Sequence, residues 1–168
     1  MSGNGSSAHV DVDRALALSR HPSAVTRQEP EHDQPVSLVL FSGTDDRLEA
    51  ATVLMAGAAA MGRPVNVLLQ YWALEAFTRG RMEADHGLSP EASLEGANRI
   101  RLKKVHQGYQ HWSETLRQVK EIGEITIRAC ALSMDTFGLD QSDLDPMVEG
   151  VEGVASFMSR ATGPITFI

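Results

Sequence analysis

The sequence is short of cysteine, of basic charge and of long apolar runs, and each shortage closes off a class of function. Cys130 is the single cysteine in 168 residues, so no intrachain disulfide, Cys-x-x-Cys redox pair or multi-cysteine zinc site can form. A lone thiol fits a reducing compartment. Fifteen Lys and Arg stand against twenty-two Asp and Glu, a net charge of −7. That balance argues against a surface built to neutralise a nucleic-acid backbone, while leaving room for a small anion held by backbone amides. The apolar run Val53–Met61 is far shorter than the ~20 residues of a membrane-spanning helix. Met1–Ala8 is rich in Gly and Ser and lacks the basic stretch and apolar core of a secretory signal. The expectation is a cytoplasmic protein with no membrane span and no nucleic-acid partner.

Composition then divides the chain. Residues 1–35 hold His9, His21, His32 and three prolines, with one short apolar patch at Val10–Leu18. So polar a segment buries too little surface to offset the entropy of ordering it, and it reads as a flexible leader. From Val36 onward the pattern is that of an α/β domain over 36–168. Val36–Phe41 and Val65–Gln70 are nearly continuous apolar runs, as in strands buried on both faces of a parallel sheet. Between them Asp46 and Glu49 have capping-box spacing, and the Ala-rich stretch to Met61 predicts a helix stopped by Gly62 and Pro64. A helix over Tyr71–Arg79 and a polar loop over Gly80–Gly87 follow. Ser89-Pro90 reads as an N-cap and first helical residue of a helix reaching Gln107, part of a helical insert around 80–108. Trp112, Leu116 and Val119 have helical spacing, and the β-branched Ile125–Cys130 is a third strand. A short helix at Asp143–Met147, strands at Gly150–Val154 and Ile165–Ile168, and a helix at Ala155–Ala161 complete the reading. The fold class is α/β: a single-domain, flavodoxin-like, mostly parallel sheet of about five strands with helices on both faces.

Ligands of open parallel sheets bind beyond the carboxyl ends of the strands. That rule selects Ser42-Gly43-Thr44, Gln70-Tyr71-Trp72 and the segment beginning at Cys130. The Ser42–Asp46 turn is a possible anion site through its amides, although it has neither Gly-x-Gly-x-x-Gly nor a Walker lysine. A thiol at Cys130 is activated if turn amides favour its anion, and inert if it merely fills core space. Ser133, Met134 and Asp135 form the supporting turn, with Asp135 better suited to capping than to acid catalysis. His106 and His111 lie roughly 140° apart on an ideal helix, which is not a metal-binding pair. The basic stretch Arg99, Arg101, Lys103 and Lys104 reads as a solvated face or a docking site for an acidic partner. Trp72 and Trp112 are expected in the core or a subunit interface. The Ala50–Met61 helix, apolar or small nearly all round, suggests burial on more than one side.

Ala129-Cys130-Ala131-Leu132-Ser133-Met134-Asp135-Thr136-Phe137-Gly138-Leu139 resembles the cysteine motif of the DsrE/DsrF-like sulfur-relay family, in its larger-insert branch, where the segment reads roughly A-C-x-x-S-M-D-x-x-G-[IL]. The entry at Glu121–Ile127, the ending at Gly150–Phe157 with Ile165–Ile168, and Ser42-Gly43 after the first strand are similar too, so the resemblance spans about 36–168. Phe137 stands where many relatives have methionine, and Arg128 is an unusual charge within the strand. The resemblance implies a homo-oligomeric sulfur carrier or sulfurtransferase: Cys130 accepts sulfane sulfur as a persulfide and passes it to a partner thiol, with no cofactor and no metal. Its partners are sulfur-donor and sulfur-acceptor proteins. Two alternatives stay open on the residues alone. One is a non-catalytic module binding a small anion, nucleotide or flavin at the same strand ends. The other is an accessory subunit with an inert cysteine.

Overall fold

The computed structural model describes residues 34–106 and 108–168. All but the last two residues of the expected leader lie outside that range. Five strands, β1 (Val36–Leu40), β2 (Val65–Leu69), β3 (Ile125–Cys130), β4 (Gly150–Glu152) and β5 (Ile165–Phe167), form one sheet in the order β4-β3-β2-β1-β5. Every pairing is parallel, as the continuous apolar runs predicted. The helices are α1 (Asp45–Ala60), α2 (Tyr71–Ala76), α3 (Leu94–His106), α4 (Trp112–Ile122), α5 (Ala131–Phe137) and α6 (Val154–Arg160).

Alternation along the strands sorts the interior into two layers. Leu38, Leu40, Val67, Leu69, Ile127 and Ala129 point into the main core beneath α1 and α4. Helix α1 contributes Leu48, Ala51, Met55 and Ala58, a single stripe at helical spacing. Its opposite side leaves Val53 and Leu54 exposed, so among the described residues the helix is buried on one side. Helix α4 contributes Trp112, Leu116 and Val119, one face at i, i+4 and i+7. It stops at Gly123, where a Cβ would stand 2.5 Å from that of Ala59 on α1. The other side of the sheet carries a smaller cluster of Val39, Leu68, Cys130 and Phe157, the last from α6.

Four local expectations give way to tertiary contacts. Ser89 does not cap a helix at Pro90; its backbone N–H and hydroxyl both donate to the Asp46 carboxylate, at 3.0 and 2.5 Å, and the helix begins at Leu94. Asp46 is therefore occupied across the chain instead of in a capping box at α1, which starts at Asp45 with Thr44 as N-cap. The short helix expected at Asp143–Met147 is a 3-10 turn at Gln141–Asp143, capped by Asp140, because Leu144 is drawn into a bridge with Thr78. The Ser133–Asp135 turn is part of a full helix, α5, closed by Gly138 in the left-handed conformation at φ 62°. Trp112 is in the core, whereas Trp72 is 53% exposed.

Candidate functional site

Cys130 is the last residue of β3 and the N-cap of α5. A strand that runs straight into a helix leaves the first-turn amides of that helix without intrahelical partners, and these surround the junction. The thiol faces the smaller cluster and is 2% exposed, under Phe157 and beside Leu68. Its polar contact comes from β2. Gln70 follows the last paired residue of that strand, and its side-chain amide donates toward the Cys130 sulfur at 3.9 Å.

Two buried side chains brace this junction. Ser133 is fully buried on α5, and its hydroxyl accepts the backbone N–H of Tyr71 at 3.2 Å. Tyr71 holds φ at 44°, the sole non-glycine residue with positive φ among those described. This unfavourable backbone state costs on the order of 1 kcal/mol and tends to persist only where surrounding contacts enforce it. Met134 is buried in the main core, while Asp135 faces solvent and makes no approach to the sulfur among the recorded contacts.

On the other flank, Glu152 of β4 is the register partner of Cys130. Its carboxylate is buried and grips Arg160 of α6 through two bonds, at 2.9 and 2.5 Å, and accepts Ser156 Oγ at 2.8 Å. Arg128, two residues before Cys130 on the same face, stands 3.9 Å from the same carboxylate. Arg160 also donates to Asn66 at 3.3 Å. Burial alone would raise the Glu152 carboxyl, but the hydrogen bonds from Arg160 and Ser156 outweigh it and hold the group below its ordinary value. The unusual strand charge at Arg128 thus belongs to a network that fixes α6 over the cysteine. Gln70 lay in a strand-end segment selected from sequence, without a role. Glu152, Arg160 and Asn66 were not selected, because no local pattern marks residues that meet only across strands.

Ser42, Gly43 and Thr44 lie at the same edge of the sheet but belong to a different recess. Ser42 Oγ and Thr44 Oγ1 are 3.2 Å apart, and a Cβ on Gly43 would stand 2.3 Å from the Trp72 carbonyl oxygen. The recess, about 620 Å³, is also lined by Arg47, Trp72, Arg81 and His86, and Cys130 is not part of its lining. The first turn of α1 carries two carboxylates of its own, of which Asp46 is bonded to Ser89 and Asp45 to Trp112. The basic stretch is divided as well: Arg99 pairs with Glu95, and Lys104 reaches Asp45. No group of three or more His, Cys, Asp or Glu suited to a metal occurs among the described residues. No helix among them is long and apolar enough to cross a membrane.

No family model matches the chain. Among curated proteins it is 26% identical to the uncharacterized protein YrkE of Bacillus subtilis (strain 168), over 78% of this chain and 93% of that one. Among solved structures it is similar to the protein of unknown function MTH1491 from Methanobacterium thermoautotrophicum, with a TM-score of 0.49 and 14% identity over 81% of this chain and 98% of the other. It is also similar to the ychN protein from E. coli, with a TM-score of 0.47 and 12% identity over 79% and 99%.

Proposed function

We propose that this protein is a cytoplasmic, homo-oligomeric sulfur carrier of the DsrE/DsrF-like kind, in which Cys130 relays sulfane sulfur between partner proteins. The observation that carries the reading is the position of Cys130: the single thiol ends an interior strand at the carboxyl edge of a parallel sheet, within the Ala129–Leu139 motif. In the loading step the Cys130 thiolate attacks the outer sulfur of a donor persulfide. A new S–S bond forms at Cys130, the donor S–S bond breaks, and the donor leaves as its thiolate. In the unloading step an acceptor thiolate attacks the outer sulfur and Cys130 is released as thiolate. Neither step needs an external oxidant or a second cysteine in the chain.

The Gln70 side-chain amide is the donor that faces the sulfur in this arrangement. Burial of the thiol sets a requirement: a donor reaches it only when Gln70 or α6 moves aside. The same burial favours the reading of an inert cysteine, and the recess beside Ser42 and Trp72 favours the binding-module reading.

The deciding experiment is intact mass after incubation with polysulfide, thiosulfate or a persulfidated donor protein, alongside Cys130→Ser. The expected result is a reducible gain of about one sulfur mass, ~32 Da, in the parent protein alone. Absence of any adduct, with a thiol that alkylates no faster than in a peptide, overturns the carrier reading. A nucleotide or flavin released on denaturation would then support the binding module.

A further inference from the structure

Helix α3 is thirteen residues long and buries none of them. Leu94, Leu102 and Val105 are exposed, and the inward-facing Ile100 has an open cleft on either side, of about 250 and 540 Å³. Helices in globular domains owe most of their stability to a packed apolar face, and α3 has no such face. What ties it to the body is polar. Lys104 Nζ lies 3.6 Å from Asp45 Oδ2, at the start of α1, and 5.2 Å from the centre of the Tyr109 ring. The segment before the helix is held more firmly, through Ser89 on Asp46 and Glu91 on Arg47 at 2.8 Å. Beyond the helix Gly108 adopts φ 59° with open space around it, a backbone state suited to a hinge.

Beneath α3 lies a built surface. Asp45 is nearly buried, accepts the Trp112 indole N–H at 3.1 Å, and stands 3.7 Å from His111 Nε2. Glu83 and Asp85 complete the acidic wall, and Arg101 and Lys104 form the basic one. Glu83 is already paired with Arg117 and Asp85 with the Gly87 N–H, so Lys104–Asp45 is the direct ion pair that α3 makes with this wall among the described residues, with Lys104 and Arg101 also acting on Asp85 at longer range.

We infer that α3 is a lid over the cleft between the amino-terminal ends of α1 and α4, closed by the Lys104–Asp45 ion pair and opening about Gly108 while the rest of the domain stays folded. This inference does not depend on the chemistry of Cys130.

Hydrogen exchange followed by mass spectrometry on the full chain tests it. Amides of α3 should exchange at least about tenfold faster than those of α4. Lys104→Gln should speed α3 severalfold without altering α4 or β3. Lys104→Arg should restore the parent rates. In a Trp72→Phe background, where Trp112 is the sole indole, Lys104→Gln should raise acrylamide quenching. Equal protection of α3 and α4, or acceleration of β3 together with α3, would overturn the lid. Protection of α3 that rises with protein concentration would overturn it too, by assigning the exposed Leu94–Val105 side to contact between copies.

Discussion

The side-chain amide of Gln70 points at the sulfur of Cys130 across 3.9 Å, although the two residues are sixty positions apart in the chain. Among the described residues this is the side-chain hydrogen bond to the sulfur, and Gln70, half-buried at the adjacent strand end, is expected to cover the thiol as well. Donor and cover are separable roles.

Replacement of Gln70 tests both. Gln70→Ala opens a path to the thiol and should speed alkylation of Cys130 by iodoacetamide. Gln70→Leu retains the bulk, removes the donor and should slow it, since a buried anion loses its hydrogen bond. Equal rates in the parent and both variants would show that Gln70 has neither role.

The Glu152–Arg160 pair is expected to hold α6 in place. Glu152→Gln should cost about 1–3 kcal/mol in urea unfolding, less than for a fully buried pair because Arg160 is partly in water. The pH dependence follows from the depressed folded value of the carboxyl. Its contribution is complete above the ordinary carboxylate value of 4.5 and is lost as pH falls through the lower folded value. The Glu152→Gln variant should show a shallower acid limb.

His111 caps α4, its Nδ1 accepting the Ser113 N–H at 3.3 Å. Burial lowers its folded value below 6.5, with Lys104 and His86 adding to the effect against the attraction of Asp45. Stability from the neutral ring is therefore complete above 6.5 and declines as pH falls toward the lower folded value. His111→Asn preserves a capping acceptor and removes the titration. Thermal unfolding of this variant should change less than that of the parent between about pH 7 and 5.

At Gly43 the limit is steric. A methyl group there meets the Trp72 carbonyl oxygen at 2.3 Å, and backbone yields less readily than a side-chain tip. Gly43→Ala should destabilise by about 1–3 kcal/mol. It should also displace α2 and with it Gln70, so Cys130 alkylation should change in the same variant. Unchanged urea midpoint and alkylation rate would contradict the close approach.

Much of the architecture is legible locally because burial on both faces imposes a recognisable run of residues. Val36–Leu40, Val65–Leu69 and Ile125–Cys130 read as parallel strands for that reason, and they are. The Ser89-Pro90 signal failed because Asp46, forty-three residues away, competes for the Ser89 donors that the local pattern assigned to a cap. The Ala-rich α1 helix is ambiguous in another way: small apolar residues fit a buried or an exposed side, and composition does not distinguish them.

The sequence by itself determined the α/β class, the alternation of strands and helices, and the placement of Cys130 at the end of a strand, since each depends on patterns within a few residues. Tertiary structure alone decided that the sulfur faces the layer under α6, that Gln70 and Glu152 flank it, and that α3 lies unburied over Asp45. Those relations depend on strand order, register and helix docking, which are set by the whole chain packing at once and leave no trace in any local window.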